Sequence, residues 1–338
     1  MFRTEAKMRI PGVKTAKRFS QWVRARLLGG AMILGYHRVT NIRNDAYDVC
    51  VTPDNFAQQM DALSKYANPV HLSQLIEHLM TGSLPPRTVA VTFDDGYADN
   101  LYQAKPILEK YGVPATIFVC SGYLGGEFWW DELERLTHSS DTDLQGLNLQ
   151  AGNRTFKWNQ PVKNREIING QDVSFRSQFR QALYHFILPL DLAERELALE
   201  AIRAWARPVG VEGKQYAIDR DELLQLTEGG LVEVGSHTRN HLMLPYVSME
   251  RQREEILQGK QDLETLLGRT VAGFSYPNGL ATHNAKQAVR EAGFKFACIS
   301  LNDVVRTGSD IHELTRFWQK DTNGNKFLAD LAAWMNLS

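Results

Sequence analysis

The sequence is short of almost every feature that would assign it quickly. Only three cysteines occur in 338 residues, Cys50, Cys120 and Cys298. Their odd number and wide spacing exclude a disulfide framework and a zinc-finger pair. An excess of one charge is missing too. Lys and Arg number 38 against 39 Asp and Glu, for a net charge of −1, which gives no electrostatic reason to expect nucleic acid as a partner. No run of about 18 apolar residues occurs, so no membrane-spanning helix is expected. The chain has no Gly-rich phosphate loop after its first strand, no internal repeat and no low-complexity tract. What remains is an ordinary globular composition, 43% hydrophobic and 23% charged, with length enough for a large core.

The near-neutral total hides an uneven start. Residues 1–30 hold eight Lys and Arg against Glu5 alone, a charge of +7 that leaves −8 for the rest. Lys17–Leu28 can form a basic amphipathic helix with Phe19, Trp22, Val23, Leu27 and Leu28 near one side. Such a helix is either a capping segment or one that lies on an anionic membrane surface. No apolar stretch there resembles a signal-peptide core. The expectation is a cytoplasmic protein, peripheral at the inner membrane face through residues 1–30.

Apolar runs at Ala31–Gly35, Thr88–Phe93, Ala115–Cys120, Leu231–Gly235 and Val271–Tyr276 read as short buried strands, with a sixth at Phe294–Ser300. Between them lie helical patterns at Phe56–Tyr66, Ser73–Met80, Leu101–Tyr111, Ser248–Leu267 and Asn284–Ala292. Pro106 predicts that the third is kinked or starts late. This alternation predicts an α/β fold with a parallel sheet. Polar groups follow strand after strand, which points to a TIM-like barrel rather than an open doubly wound sheet. Residues about 123–225 interrupt the rhythm and read as a helical insertion at the barrel mouth, a candidate lid or substrate platform. Residues 321–338 are expected to form a C-terminal helix.

The chemistry gathers after the strands. His237 and His241 are four apart, a spacing that lets two imidazoles meet one metal ion. Asp94 and Asp95 are adjacent carboxylates at another strand end and cannot both point the same way. One can bind metal while the other faces substrate, leaving open coordination positions for catalysis.

Thr92-Phe93-Asp94-Asp95-Gly96-Tyr97 and Ser236-His237-Thr238-Arg239-Asn240-His241 resemble the first two motifs of the polysaccharide deacetylase family, the NodB-homology proteins of carbohydrate esterase family 4. Phe274-Ser275-Tyr276-Pro277-Asn278-Gly279 is similar to the third. The resemblance runs from about residue 31 to 320 and is weakest in the insertion. It implies a distorted (β/α)7 barrel and metal-dependent removal of an N-acetyl group from a saccharide or a lipid-linked sugar. It further implies Asp95, His237 and His241 as metal ligands and Asp94 as general base. The Asn278 backbone N–H is the implied oxyanion donor. The implied ion is divalent, zinc first, with cobalt or manganese as alternatives.

The chain departs from the family pattern in two places. Ser275 stands where many members have an arginine that holds the base, and Arg316 is the candidate to replace it. The family's late Leu-x-His motif, source of the general acid, is absent. His37, at a strand end in Tyr36-His37-Arg38, is the better candidate for a site role, and His312 the weaker one for the acid. Trp129 and Trp130 either stack on a sugar or pack beneath the insertion. A metal-dependent amidase on a non-sugar amide, or a weakly active or inactive sugar-binding member of the fold, remain as alternatives.

Overall fold

A computed structural model describes residues 30–42, 45, 47–138, 146–159, 167–168, 171–172, 175–206 and 216–335. Of the basic segment 1–30 expected to contact a membrane surface, residues 1–29 lie outside the described residues.

Strands β1 (Met32–Tyr36), β2 (Thr88–Phe93), β3 (Ala115–Val119), β4 (Val232–Ser236), β5 (Gly273–Ser275), β6 (Phe296–Cys298) and β7 (Phe317–Trp318) lie in one eight-stranded sheet, in the order β6-β5-β4-β3-β2-β1-β7. Asn68–Pro69 adds the eighth strand beside the start of β2. Every pairing is parallel. The sheet curls into a half-barrel, the distorted barrel that the family resemblance implies. Its edges β6 and β7 are not paired to each other. The chain between them runs beside β6, with Ile299 N–H on Leu314 O and Leu314 N–H on Ala297 O at 2.8 and 2.9 Å. β7 is too short and too polar in context to stand out in the sequence. It forms because Phe317 and Trp318 pair with Leu34 and Gly35 of β1.

Both sheet faces are buried, as parallel sheets require. Along β1 and β2, Met32, Leu34, Tyr36, Val89, Val91 and Phe93 pack outward against helices in the main core. The alternate residues Ala31, Ile33 and Ala90 join Phe118, Phe296 and Leu314 in a second cluster. Side chains of a strand alternate faces, so Ala90, Thr92 and Asp94 share one side.

The outer helices are α1 (Pro53–Tyr66), α2 (Leu72–Thr81), α3 (Lys105–Tyr111) and, after the insertion, α7 (Arg220–Thr227), α8 (Met249–Leu267), α9 (His283–Glu291) and α10 (Gly324–Met335). Side-chain caps start several of them: Thr52, Ser248 and Thr282 each accept a backbone N–H of the first turn, and Asp219 with Glu222 forms a reciprocal capping box. α3 begins late at Lys105, with Pro106 in its first turn, and a π-helical turn over Asn100–Ala104 precedes it. The insertion carries α4 (Trp129–His138), α5 (Phe175–Ile187), α6 (Leu192–Ala206) and the antiparallel hairpin Leu147–Ala151 with Arg154–Trp158. These bury a core of their own, built from Phe128, Trp129, Leu133, Phe179, Leu183, Ile202 and neighbours. Leu223 and Leu226 of α7 belong instead to the main core. Among the described residues no helix is long and apolar enough to cross a membrane.

Candidate active site

The C-terminal ends of the strands surround a cavity of about 370 Å³. It is lined by His37 after β1, Asp94, Asp95 and Tyr97 after β2, His237 and His241 after β4, Asn278 and Gly279 after β5, and Trp318 of β7. Trp130 and Tyr184 reach it from the insertion.

Asp94 continues the inner face of β2, and Asp95 turns away from it. The turn needs a left-handed backbone, with Asp95 at φ 74° and Gly96 at φ 86°. Aspartate tolerates this region better than most residues. Thr238, His241 and Asn278 are also left-handed, at φ 65°, 49° and 55°. Such strain gathers where surrounding contacts over-determine the backbone.

Those contacts are visible around His241. Its N–H bonds Thr238 Oγ1 at 3.0 Å. The buried Glu255 of α8 accepts from Asn240 N and Asn240 Nδ2, both at 2.8 Å, and its carbonyl accepts from Arg239 N at 3.1 Å. Gly259, one turn on, lets the helix approach closely, since a Cβ there would come within 2.7 Å of the Thr238 carbonyl carbon. From the other side, Arg195 of α6 donates to Asn240 O at 3.2 Å.

The result is a buried triad whose ligand atoms lie within 4.8 Å of one another, Asp95, His237 and His241. Both His237 Nε2 and His241 Nε2 stand 3.6 Å from Asp95 Oδ1. His237 Nδ1 bonds the Ser275 carbonyl at 2.7 Å, which selects the tautomer with a free Nε2 lone pair. His241 Nδ1 is buried with no partner among the described residues. Burial pushes both imidazoles down, His241 furthest, so they are neutral as metal ligands must be. Burial and then the Asp94 charge push Asp95 up. A cation beside it relieves both effects. The donor set therefore fits a divalent metal ion.

Asp94 has the opposite environment. Arg316, wholly buried, grips it with Nη1 on Oδ1 at 2.7 Å and Nη2 on Oδ2 at 2.8 Å. Ser275 Oγ accepts from Arg316 Nη2 and donates to Asp94 Oδ2, at 2.9 and 3.0 Å. Burial alone would raise this carboxyl, but the Arg316 guanidinium holds it well below the usual carboxylate range. Arg316 and Ser275 thus meet on the same carboxylate.

His37 stacks on Trp318 with centroids 4.5 Å apart. The close approach of that indole requires Gly35, where a Cβ would lie 2.8 Å from the ring. Burial brings the His37 imidazole down to about 4, against the pull of Asp94. Asn278 Nδ2 rests 2.8 Å from Met243 Sδ. His312 is not brought to the cavity. Its Nε2 bonds the Phe294 carbonyl at 3.0 Å. Of the two tryptophans, Trp130 lines the cavity, with its ring 4.7 Å from His241 and its Nε1 on Tyr97 Oη at 2.7 Å. Trp129 is only 2% exposed and belongs to the insertion core. Tyr47, Tyr184, Trp318 and Lys320 line the cavity without any local sequence signal.

Residues 81–160 and 201–297 match the family model described as polysaccharide deacetylase. The poly-β-1,6-N-acetyl-D-glucosamine N-deacetylase of Staphylococcus aureus is 32% identical over 111 residues, 29% of this chain and 38% of that protein. The first curated relatives are thus matched over less than two fifths of their own length. Among solved structures, the deacetylase PplD of Streptococcus pyogenes superposes with a TM-score of 0.59 at 16% identity, over 90% of this chain and 99% of that one. IcaB of Ammonifex degensii gives 0.58 at 19% identity, over 90% and 97%. These likenesses show the fold. The family model covers more than half of the chain and contains both acidic and histidine motifs, and the chain belongs to the polysaccharide deacetylase family.

Proposed function

We propose that the protein hydrolyses the N-acetyl group of a saccharide, with a divalent ion, zinc first, held by Asp95, His237 and His241. The observation that carries this reading is one cavity holding a buried Asp-His-His triad beside a second carboxylate clamped in its ionised form.

An ion bound there would supply Lewis acidity to a water and to the acetyl carbonyl. Asp94 is the base. It is ionised across the neutral range, and Arg316 and Ser275 fix its direction. So weak a base takes a proton only from an acidified water, which is why it needs the adjacent cation. Attack on the carbonyl carbon forms the C–O bond and puts negative charge on the carbonyl oxygen. The Asn278 N–H, on its left-handed turn, is the donor proposed to meet that charge. When the C–N bond breaks, the amine nitrogen needs a proton. His37 is neutral at pH 7 and holds none to spare, so protonated Asp94, the stronger acid, returns it. His37 then serves as a hydrogen-bonding and stacking group. The products are acetate and the free amino sugar.

The test is acetate release from N-acetylglucosamine and its oligomers, followed by the mass loss of one acetyl group. Metal-loaded wild type should release acetate, and Asp94→Asn should lose nearly all of it while keeping its metal. No acetate from any of these sugars by protein with full metal content would overturn the reading.

A further inference from the structure

Two consecutive side chains at the start of the π-helical turn, Asp99 and Asn100, reach back to the end of β1. The turn closes with Lys105 N–H on the Asn100 carbonyl, one residue wider than an α-helical turn, a form found mostly at functional sites. Asn100 is wholly buried, and its Nδ2 donates to the His37 carbonyl at 3.0 Å. Asp99 Oδ2 accepts from Arg38 Nε and Nη2 at 2.8 and 2.7 Å, and its Oδ1 accepts from Val39 N at 3.2 Å. His37, Arg38 and Val39 are therefore held in succession by this one turn.

The hold lies where the sheet stops supplying one. Asp94 N–H bonds the Tyr36 carbonyl at 2.9 Å. Beyond it Asp95 turns away at φ 74°, and the next carbonyl of β1's chain, that of His37, takes the Asn100 amide instead. Asn100 does so at a cost, because its own Oδ1 is buried with no partner among the described residues. An apolar side chain of that size would fill the space without this cost, but it would leave the His37 carbonyl unmet. We propose that Asn100 and Asp99 are positioning residues of the active site: they fix the backbone at His37, and with it the imidazole that lines the cavity and stacks on Trp318. Their effect on rate rests on the deacetylase reading, whereas the placement of His37 stands apart from it.

Acetate release from N-acetylglucosamine oligomers is measured with full-length, metal-loaded wild type, Asn100→Ala, His37→Gln and the double variant. The His37 ring protons, assigned as those missing from His37→Gln, are followed by NMR. Asn100→Ala should lower acetate release about tenfold at unchanged metal content, since misplacing a group at the site costs rate. In the His37→Gln protein the same substitution should cost at most about twofold, because residues acting through one another are not additive. The His37 ring protons should also move towards their values in an unstructured peptide as the stacking on Trp318 is lost. A merely structural role predicts the same loss in both backgrounds. That result, an unchanged rate, or an unmoved His37 signal would each overturn the proposal. Asp99→Asn keeps an acceptor for Val39 N but gives up the charged grip on Arg38, and it supplies the same readings if Asn100→Ala does not fold. A wild type that releases no acetate, while Asn100→Ala still shifts the His37 signal, removes the deacetylase reading and leaves the placement. Acetate release with additive losses and an unmoved signal does the reverse.

Discussion

Two adjacent carboxyl groups shifted in opposite directions are the residue-level observation on which the proposed chemistry turns. Asp94 is held low by Arg316 although it is buried, and Asp95 is pushed high by burial and by Asp94. Arg316→Leu should therefore do more than remove a charge. It leaves a buried carboxylate without its bidentate partner, which costs about 3–5 kcal/mol, and deacetylation should fall by at least the roughly hundredfold that a positioned base supplies. Urea denaturation and acetate assays check this, and a variant near wild-type stability would show that the pair is not what holds Asp94. His37 gives a second prediction. Its folded-state pKa is about 4 against an ordinary 6.5, so between these values the unfolded chain binds the extra proton. Stability must then fall as pH drops from about 6.5 towards about 4. With metal chelated, the urea midpoint of His37→Gln should fall less steeply over this window than that of wild type. Parallel curves would mean that folding does not keep His37 neutral.

At the scale of elements, the turn after β4 that carries His237 and His241 is held by a helix that adds no member to the triad. Glu255 of α8 satisfies two donors of Asn240, and Gly259 admits the backbone of Thr238. Glu255→Ala should loosen the turn that carries His241 and weaken metal affinity, by no more than the roughly 10–100-fold that losing a direct hydrogen-bond partner of a ligand costs. Glu255→Gln, which keeps one acceptor, should lose less. Competition against a metal-sensitive dye measures both, and equal losses would contradict the clamp. Gly259→Ala should displace the turn and destabilise the protein by about 1–3 kcal/mol. The insertion acts on the same turn from the opposite side through Arg195. It therefore does two things at the cavity: it braces the histidine turn, and it presents Trp130 and Tyr184.

Among the described residues the half-barrel buries a core on each face of its sheet, and the insertion buries one of its own. The half-barrel supplies the strand ends, and the insertion core closes one side of the cavity. The triad takes its members from turns after β2 and β4, which are far apart in sequence, so an ion there ties the arc of strands together. Removing it with a chelator should lower apparent stability by about 2.7 kcal/mol when the ion had been present at a hundred times its dissociation constant. His237→Ala should abolish most of that difference. A wild-type melting curve indifferent to chelation would count against the triad as a metal site.

The sequence alone determined the parallel α/β class, the strand ends that carry chemistry, and the Asp-Asp and His-x-x-x-His pairs, because these are written in short-range periodicity and in motifs of a few residues. Asn278 and Arg316 could be named from their motifs. The tertiary structure decided how those pieces meet. Arg316 is 222 positions from Asp94, and no local pattern encodes that distance. β7 exists only because β1 offers it an edge, and His312 is excluded from the cavity because its loop packs beneath α9 rather than over the strand ends. The choice between the two tryptophans was likewise made by packing, Trp129 into the insertion core and Trp130 against His241. Tyr184 was invisible beforehand, since its neighbours on α5 carry the hydrophobic repeat and only the docking of the insertion reveals which side of that helix faces the site.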